Sequence, residues 1–209
     1  MHQKSPPLVC DIYGGKGGIG KTTLACAFAW HWAAKGATAL MDADSQESTL
    51  RLHRNLKRPV PYRLAGGEHG MDLDGVQYVV GDMPPSIDEA RPLLNLAHLI
   101  VVPVVLRDLD LNALIRTLVT DLAGMRRVAL LSRVTHAQRN TARTVRNVLQ
   151  GLEIAVLDTQ VREYVNAHDT AHRHGIPVTH PDASGNKLAE AQQDLHDAAH
   201  ETLDLLERM

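Results

Sequence analysis

The eight residues Gly15-Lys16-Gly17-Gly18-Ile19-Gly20-Lys21-Thr22 fill every place of the pattern GxxxxGK[ST]. They stand between an apolar β-type run, Leu8 to Tyr13, and a stretch of helical period, Lys21 to Lys35. No other feature constrains the fold as strongly, because strand, glycine-rich turn and helix in this order make a phosphate loop. The glycines let the backbone turn sharply, so that successive N–H groups and the helix N-terminus face an anion. Lys21 then reaches the terminal phosphates of a nucleotide and Thr22 ligates Mg²⁺, with the neighbouring Thr23 completing the cradle. The rest of the chain keeps the same alternation. Strands are expected at Leu8 to Tyr13, Ala37 to Asp42, Val76 to Asp82, His98 to Val105, Arg127 to Val134 and Glu153 to Leu157. Helices are expected at Lys21 to Lys35, Ser45 to Asn55, Ser86 to Ala97, Asp110 to Gly124, Gln138 to Leu152, Arg162 to His174 and Asn186 to Arg208. This reads as an α/β fold, a doubly wound and mostly parallel sheet with helices on both faces and ligands at the carboxyl ends of the strands. There is no internal repeat, and the Pro- and Gly-rich stretch Pro59 to Gly75 reads as an exposed, mobile connection.

Composition narrows the function classes. A chain of 209 residues suggests a single domain over 1–209 that needs no disulfide or metal staple. The 22 Lys and Arg against 24 Asp and Glu leave a formal charge of -2, so nucleic-acid contact needs a local patch. Aromatics are 3% of residues, too few for a surface that stacks successive bases. Cys10 and Cys26 each fall in an apolar run and read as reduced core thiols. No run approaches 18 apolar residues and the start MHQKSPP lacks a signal-peptide layout, so the chain is expected to be cytoplasmic and to use no membrane.

Lys16 is the unusual residue of the loop, since an ordinary phosphate loop has no use for a second lysine at its start and the extra charge calls for a second anion. The run GGKGGIGKTT resembles the deviant phosphate loop of the ParA/MinD family of dimeric ATPases. The resemblance implies ATP and Mg²⁺ as cofactors, a homodimer when ATP is bound, and a catalytic Lys16 that reaches across to the partner subunit's nucleotide. Asp42-Ala43-Asp44-Ser45-Gln46 resembles the family's DxDPQ, with Ser45 in place of the proline. By that resemblance Asp44 is a catalytic residue that orients the attacking water, and Asp42 supports the metal. Either carboxylate alone is also what a cap for the following helix would look like. Val79-Val80-Gly81-Asp82-Met83-Pro84-Pro85 resembles the strand ending in D-x-P-P, which makes Asp82 the Mg²⁺ partner beside Thr22. His98 to Val104 resembles the strand ending in Pro-Val, and Gly175 to Val178 a C-terminal Pro-Val turn. Where the family usually has an Asn near adenine, this chain has Leu131-Ser132-Arg133, so no adenine-reading residue carries over.

The ends and the charge pattern place the chain within the family. Seven residues precede the first strand, leaving no room for an N-terminal helix-turn-helix. The last helix sets Leu188, Ala191, Leu195, Ala198, Ala199, Thr202 and Leu206 on one face, and Glu190, Asp194, Asp197, Glu201, Asp204 and Glu207 make it acidic, whereas a membrane-surface helix would be basic. In these respects the chain most resembles the small ParA, or ParF-like, plasmid partition ATPases. The family's mechanism implies non-specific double-stranded DNA, a nucleoid association, and a small centromere-binding partner of the ParB or ParG kind. Between Leu122 and Leu152 there are six arginines and no acidic residue. Arg139, Arg143 and Arg146 share one helical stripe, which is either a solvated face or the DNA-binding surface. His168 with His172, and His196 with His200, have i, i+4 spacing, but no further ligand completes a metal set. Two other readings stand beside partition: a positioning ATPase of the same family acting on a protein cargo, and a metabolic phosphate-loop enzyme of dethiobiotin-synthetase-like fold.

Overall fold

The apolar run that opens the chain forms strand β1 (Leu8–Ile12), and the glycine loop after it feeds helix α1 (Lys21–Trp32). The computed structural model describes residues 5–44, 48–66, 72–107, 109–163, 175–183 and 187–208. There follow β2 (Thr38–Asp42), α2 (Ser48–Arg54), β3 (Arg63–Ala65), β4 (Tyr78–Asp82), α3 (Ile87–Leu94) and β5 (Leu99–Val105). The chain continues with α4 (Leu111–Arg116), β6 (Arg127–Val134), α5 (Arg139–Gly151), β7 (Ala155–Val156), β8 (Val161–Arg162) and α6 (Leu188–Glu207).

The strands form one sheet in the order β3-β2-β4-β1-β5-β6-β7, with β8 also on β6, and the pairings are parallel. Parallel strands covered on both faces should be apolar throughout, and every residue of β2 is buried. After β1 the chain moves toward β2, and after β4 it crosses to β5 on the other side of β1. The glycine loop therefore leaves the sheet at its topological switch point, where such folds bind ligands.

Alternation along β1 divides the core. Cys10 and Ile12 join Phe28, Trp32, Leu195 and Leu203 on the face of α1 and α6, while Tyr13 joins Met83, Leu94, Leu118 and Leu149 on the face of α3, α4 and α5. This is the doubly wound α/β arrangement. Helix α1 is buried on nearly all sides from Leu24 to Ala29, as expected of a helix between a sheet and a second helix. Both cysteines are buried free thiols. Among the described residues no helix is long and apolar enough to cross a membrane.

Several expectations change. Arg63–Ala65, inside the stretch read as a connection, forms a strand on the open edge of β2, where it satisfies backbone groups that would otherwise lack partners. Arg162 lies in a strand and not at a helix start: Val161 and Arg162 pair with Ser132 and Val134. From residue 164 on, that expected helix, with His168 and His172, lies outside the described residues. The fourth helix gives way after Arg116 to a wide π-turn over Thr117–Asp121. Asp194, one of the acids expected to make the last helix acidic, is buried, and the Arg162 backbone N–H and Nε donate to it at 2.9 Å each and Nη2 at 2.7 Å.

Candidate nucleotide-binding site

The loop is held open by its glycines. Gly18 and Gly20 have φ of 73° and 92°, a left-handed backbone that costs other residues energy, and Gly20 serves as the N-cap of α1. No acidic residue occupies the first turn of α1, so nothing competes there for an anion. Lys21 is buried beneath the loop with its Nζ 3.4 Å from the Lys16 carbonyl oxygen. Burial lowers its pKa, and the nearby Asp82 and Asp44 carboxylates oppose that shift. Lys16, by contrast, stands exposed on the loop's outer rim beside Gly15, Gly17 and Gly18, with Ile19 half-buried behind them.

The expected metal residues converge below the loop. The hydroxyls of Thr22 and Thr49 both donate to Asp82 Oδ2, at 2.6 and 2.8 Å. Burial raises the Asp82 pKa to about 6, against the lowering effect of those two hydrogen bonds. Asp42 lies directly across from Asp82 in the register of β2 and β4. Its oxygens accept the backbone N–H of Leu50 at 2.9 Å and of Asp44 at 3.1 Å, so the structure gives it the capping role as well as a place beside the metal residues. Asp82 with the Thr22 hydroxyl, and Asp42 on the neighbouring strand, present oxygen atoms of the kind a small hard divalent cation takes. Asp44 itself is half-buried at the mouth of this cluster.

Two residues that join the site were not expected there from the sequence. Thr49, fully buried on α2, is brought to Asp82 only by the fold. Arg133, at φ 55° in an irregularity of β6, donates from Nη1 to the Gly18 carbonyl oxygen at 2.8 Å. Its one outward signal was a charge inside an apolar strand. A cleft of about 430 Å³ runs along the loop from Gly14 to Ile19, with Val104, Leu109, Ala113 and Leu114 as its apolar wall and Arg107 and Arg133 at its rim.

The arginine stripe lies apart, on α5. Arg139 and Arg143 are exposed, while Arg146 turns inward and donates to the carbonyl oxygens of Leu157 and Asp158 at 2.7 and 3.2 Å. At the α1–α6 seam, His31 meets His196 edge-on and His196 lies tilted against His200, each pair with ring centroids 5.0 Å apart. Among the described residues no three His, Cys, Asp or Glu side chains are arranged to hold a metal ion.

Known proteins share this fold. Residues 12–178 match the description "CobQ/CobB/MinD/ParA nucleotide binding domain". The chain is 31% identical, over 94% of both chains, to a maintenance of carboxysome distribution protein A from Gloeobacter kilaueensis. In fold it is similar to MinD of the Aquifex aeolicus MinC:MinD complex (TM-score 0.71, 17% identity, 94% of this chain and 96% of that one). It is similar also to a Cyanothece McdA–ATP complex (TM-score 0.71, 13% identity, 96% and 98%). A third is a plasmid partition protein from Borrelia burgdorferi bound to AMPPNP (TM-score 0.65, 16% identity, 96% and 99%). With the matched family covering most of its length and a phosphate loop at the switch point of its sheet, the chain belongs to the ParA/MinD family of nucleotide-binding proteins.

Proposed function

We propose that this chain is a Mg²⁺-dependent ATPase of the ParA type that works as a switch. ATP closes a homodimer with nucleotide at the interface, the dimer binds duplex DNA without sequence preference, and hydrolysis, stimulated by a small ParB- or ParG-like partner, resets it. The observation that carries the reading is the different placement of two lysines in one loop. Lys21 is buried beneath the loop, suited to phosphates held within its own subunit. Lys16 is exposed on the rim beside an apolar cleft, suited to a nucleotide carried by a second copy. Thr22 and Asp82 would hold Mg²⁺, which neutralises phosphate charge when bound, and Asp42 supports the set from the next strand. Asp44, at the mouth of the cluster, is placed to orient a water against the terminal phosphate, and catalysis of this kind is positioning and electrostatics.

What the switch moves is plasmid or chromosomal DNA on the first reading, with the protein riding on the nucleoid. A second reading, a protein cargo, is favoured by the carboxysome distribution relative. The partition reading needs a DNA-binding surface, for which Arg139 and Arg143 are the exposed candidates, with Arg146 less available. Gel-shift measurements with Asp44→Ala, which should bind ATP yet hydrolyse it at least about tenfold more slowly, test this. Binding to unrelated duplexes should be equal, require ATP and not ADP, and fall steeply between low and moderate salt. Arg139→Glu with Arg143→Glu should weaken it uniformly. Equal binding with ADP would contradict the switch, and undiminished binding by the double variant would move the DNA surface elsewhere.

A further inference from the structure

We infer that Thr49 is a positioning residue of the metal site: its hydroxyl fixes the Asp82 carboxylate and ties helix α2 to strand β4, so that the Mg²⁺–nucleotide complex meets a preset ligand. The inference rests on the Mg²⁺–nucleotide reading above.

Thr49 and Asp82 are 33 residues apart in sequence, and the 2.8 Å hydrogen bond between them is fully buried. A buried threonine in a helix ordinarily returns its hydroxyl to a carbonyl one turn back, as Thr202 does to Ala198 at 2.7 Å. Thr49 reaches across to a strand end instead. The next residue is held as well, since the Leu50 N–H donates to Asp42 Oδ2 at 2.9 Å. Asp42 and Asp82 are register partners on adjacent strands. Two consecutive residues of α2 are thus clamped to two neighbouring strand ends, and the chain from Asp42 to Thr49, which carries Asp44, is anchored at both limits. Asp82 Oδ2 also accepts from Thr22 at 2.6 Å. Thr22 must in addition offer its oxygen to the cation, whereas Thr49 has only the carboxylate to serve. A donor with that single task keeps Asp82 aimed whether or not the cation is present.

Thr49→Val removes the donor at nearly constant shape, and Thr49→Ser restores it. Binding of a fluorescent ATP analogue is titrated against Mg²⁺, alongside binding without Mg²⁺ and a thermal melt of the nucleotide-free protein. Thr49→Val should raise the Mg²⁺ concentration for half-maximal binding roughly five- to tenfold, as loss of a hydrogen bond to a charged group does. Mg²⁺-free binding should change less than about twofold, and Thr49→Ser should return the Mg²⁺ requirement close to wild type. An unchanged Mg²⁺ requirement in Thr49→Val overturns the inference. So does a parallel fall of Mg²⁺-free and Mg²⁺-dependent binding, which marks a merely structural role. If Thr49→Val does not fold, Thr49→Ala, which adds no methyl group against the carboxylate, carries the same test. Wild-type protein that binds the analogue equally with and without Mg²⁺ would sink the parent reading and the inference with it, a result distinct from the failure of Thr49 alone.

Discussion

The two faces of the sheet are built differently. On one, the twelve residues of α1 and the twenty of α6 pack along each other, and the Trp32 indole N–H donates across the seam to the Ala199 carbonyl oxygen at 2.8 Å. On the other, α5 keeps thirteen residues but α3 and α4 have eight and six, Pro92 removes a helical donor from α3, and a π-turn follows α4. Asp11 is also buried on that second face, and neither of its carboxylate oxygens has a hydrogen-bond partner among the described residues. It fits only because Gly81 opposite has no side chain: a Cβ there would come within 2.3 Å of Asp11 Oδ1. The face of α1 and α6 carries the glycine loop at the head of α1. The face of α3, α4 and α5 borders the cleft beside Lys16, which is walled by Ala113 and Leu114 of the short α4.

The comparison is broken most severely at Trp32. It is fully buried, stacks on Phe28 with centroids 5.9 Å apart, and holds the only indole hydrogen bond across the seam among the described residues. Trp32→Ala should cost about 3–5 kcal/mol in equilibrium unfolding. A loss below about 1 kcal/mol would mean that α6 does not brace α1.

A smaller effect, of opposite sign, is expected on the other face. Burial raises the Asp11 pKa from 3.8 to about 7. The folded chain keeps that proton where the unfolded chain releases it, so the contribution of Asp11 to stability is most favourable at acid pH and falls as pH rises through this window, levelling off above it. Asp11→Val should remove this slope and stabilise the protein at pH 8 by about 1–3 kcal/mol, with less gain toward pH 5. Melting curves across that range would show it, and a variant equally affected at both pH values would refute the cause.

The smallest effect lies back at the seam and runs the other way in pH. Burial, then the neighbouring His196 and His200, lower the His31 pKa to about 4. The unfolded chain takes up this proton first on acidification, so stability is lost as pH falls from about 6.5 toward 4. His31→Phe should flatten that acid limb in the same melts. A limb of unchanged steepness would assign it to other groups.

These contrasts also mark what the sequence can disclose. The phosphate loop, Asp42, Asp44 and Asp82 are legible because their chemistry requires fixed residue types at short spacing after a strand. The apolar face of α6 is legible for the same local reason, and its buried set matches the periodicity from Leu188 to Leu206. What stays hidden depends on a distant partner. Thr49 has meaning only against Asp82, and Arg133 only against Gly18, 115 residues away. Asp194 looks solvent-facing until Arg162 arrives from β8. The three residues of β3 form a strand because β2 has a free edge, and so short a segment carries no periodicity.

The central claim is that Lys16 acts on a nucleotide held by another copy of the chain. Light scattering of wild type and Lys16→Gln, each with ADP and with a non-hydrolysable ATP analogue, tests it directly, with analogue binding measured in parallel. The wild type should move from the mass of one chain, 22.9 kDa, to twice that with the analogue and stay monomeric with ADP. Lys16→Gln should bind the analogue with affinity close to wild type, because Lys21 and the loop N–H groups hold it within one subunit, yet remain monomeric. A Lys16→Gln protein that dimerises with the analogue at wild-type concentration would contradict the account.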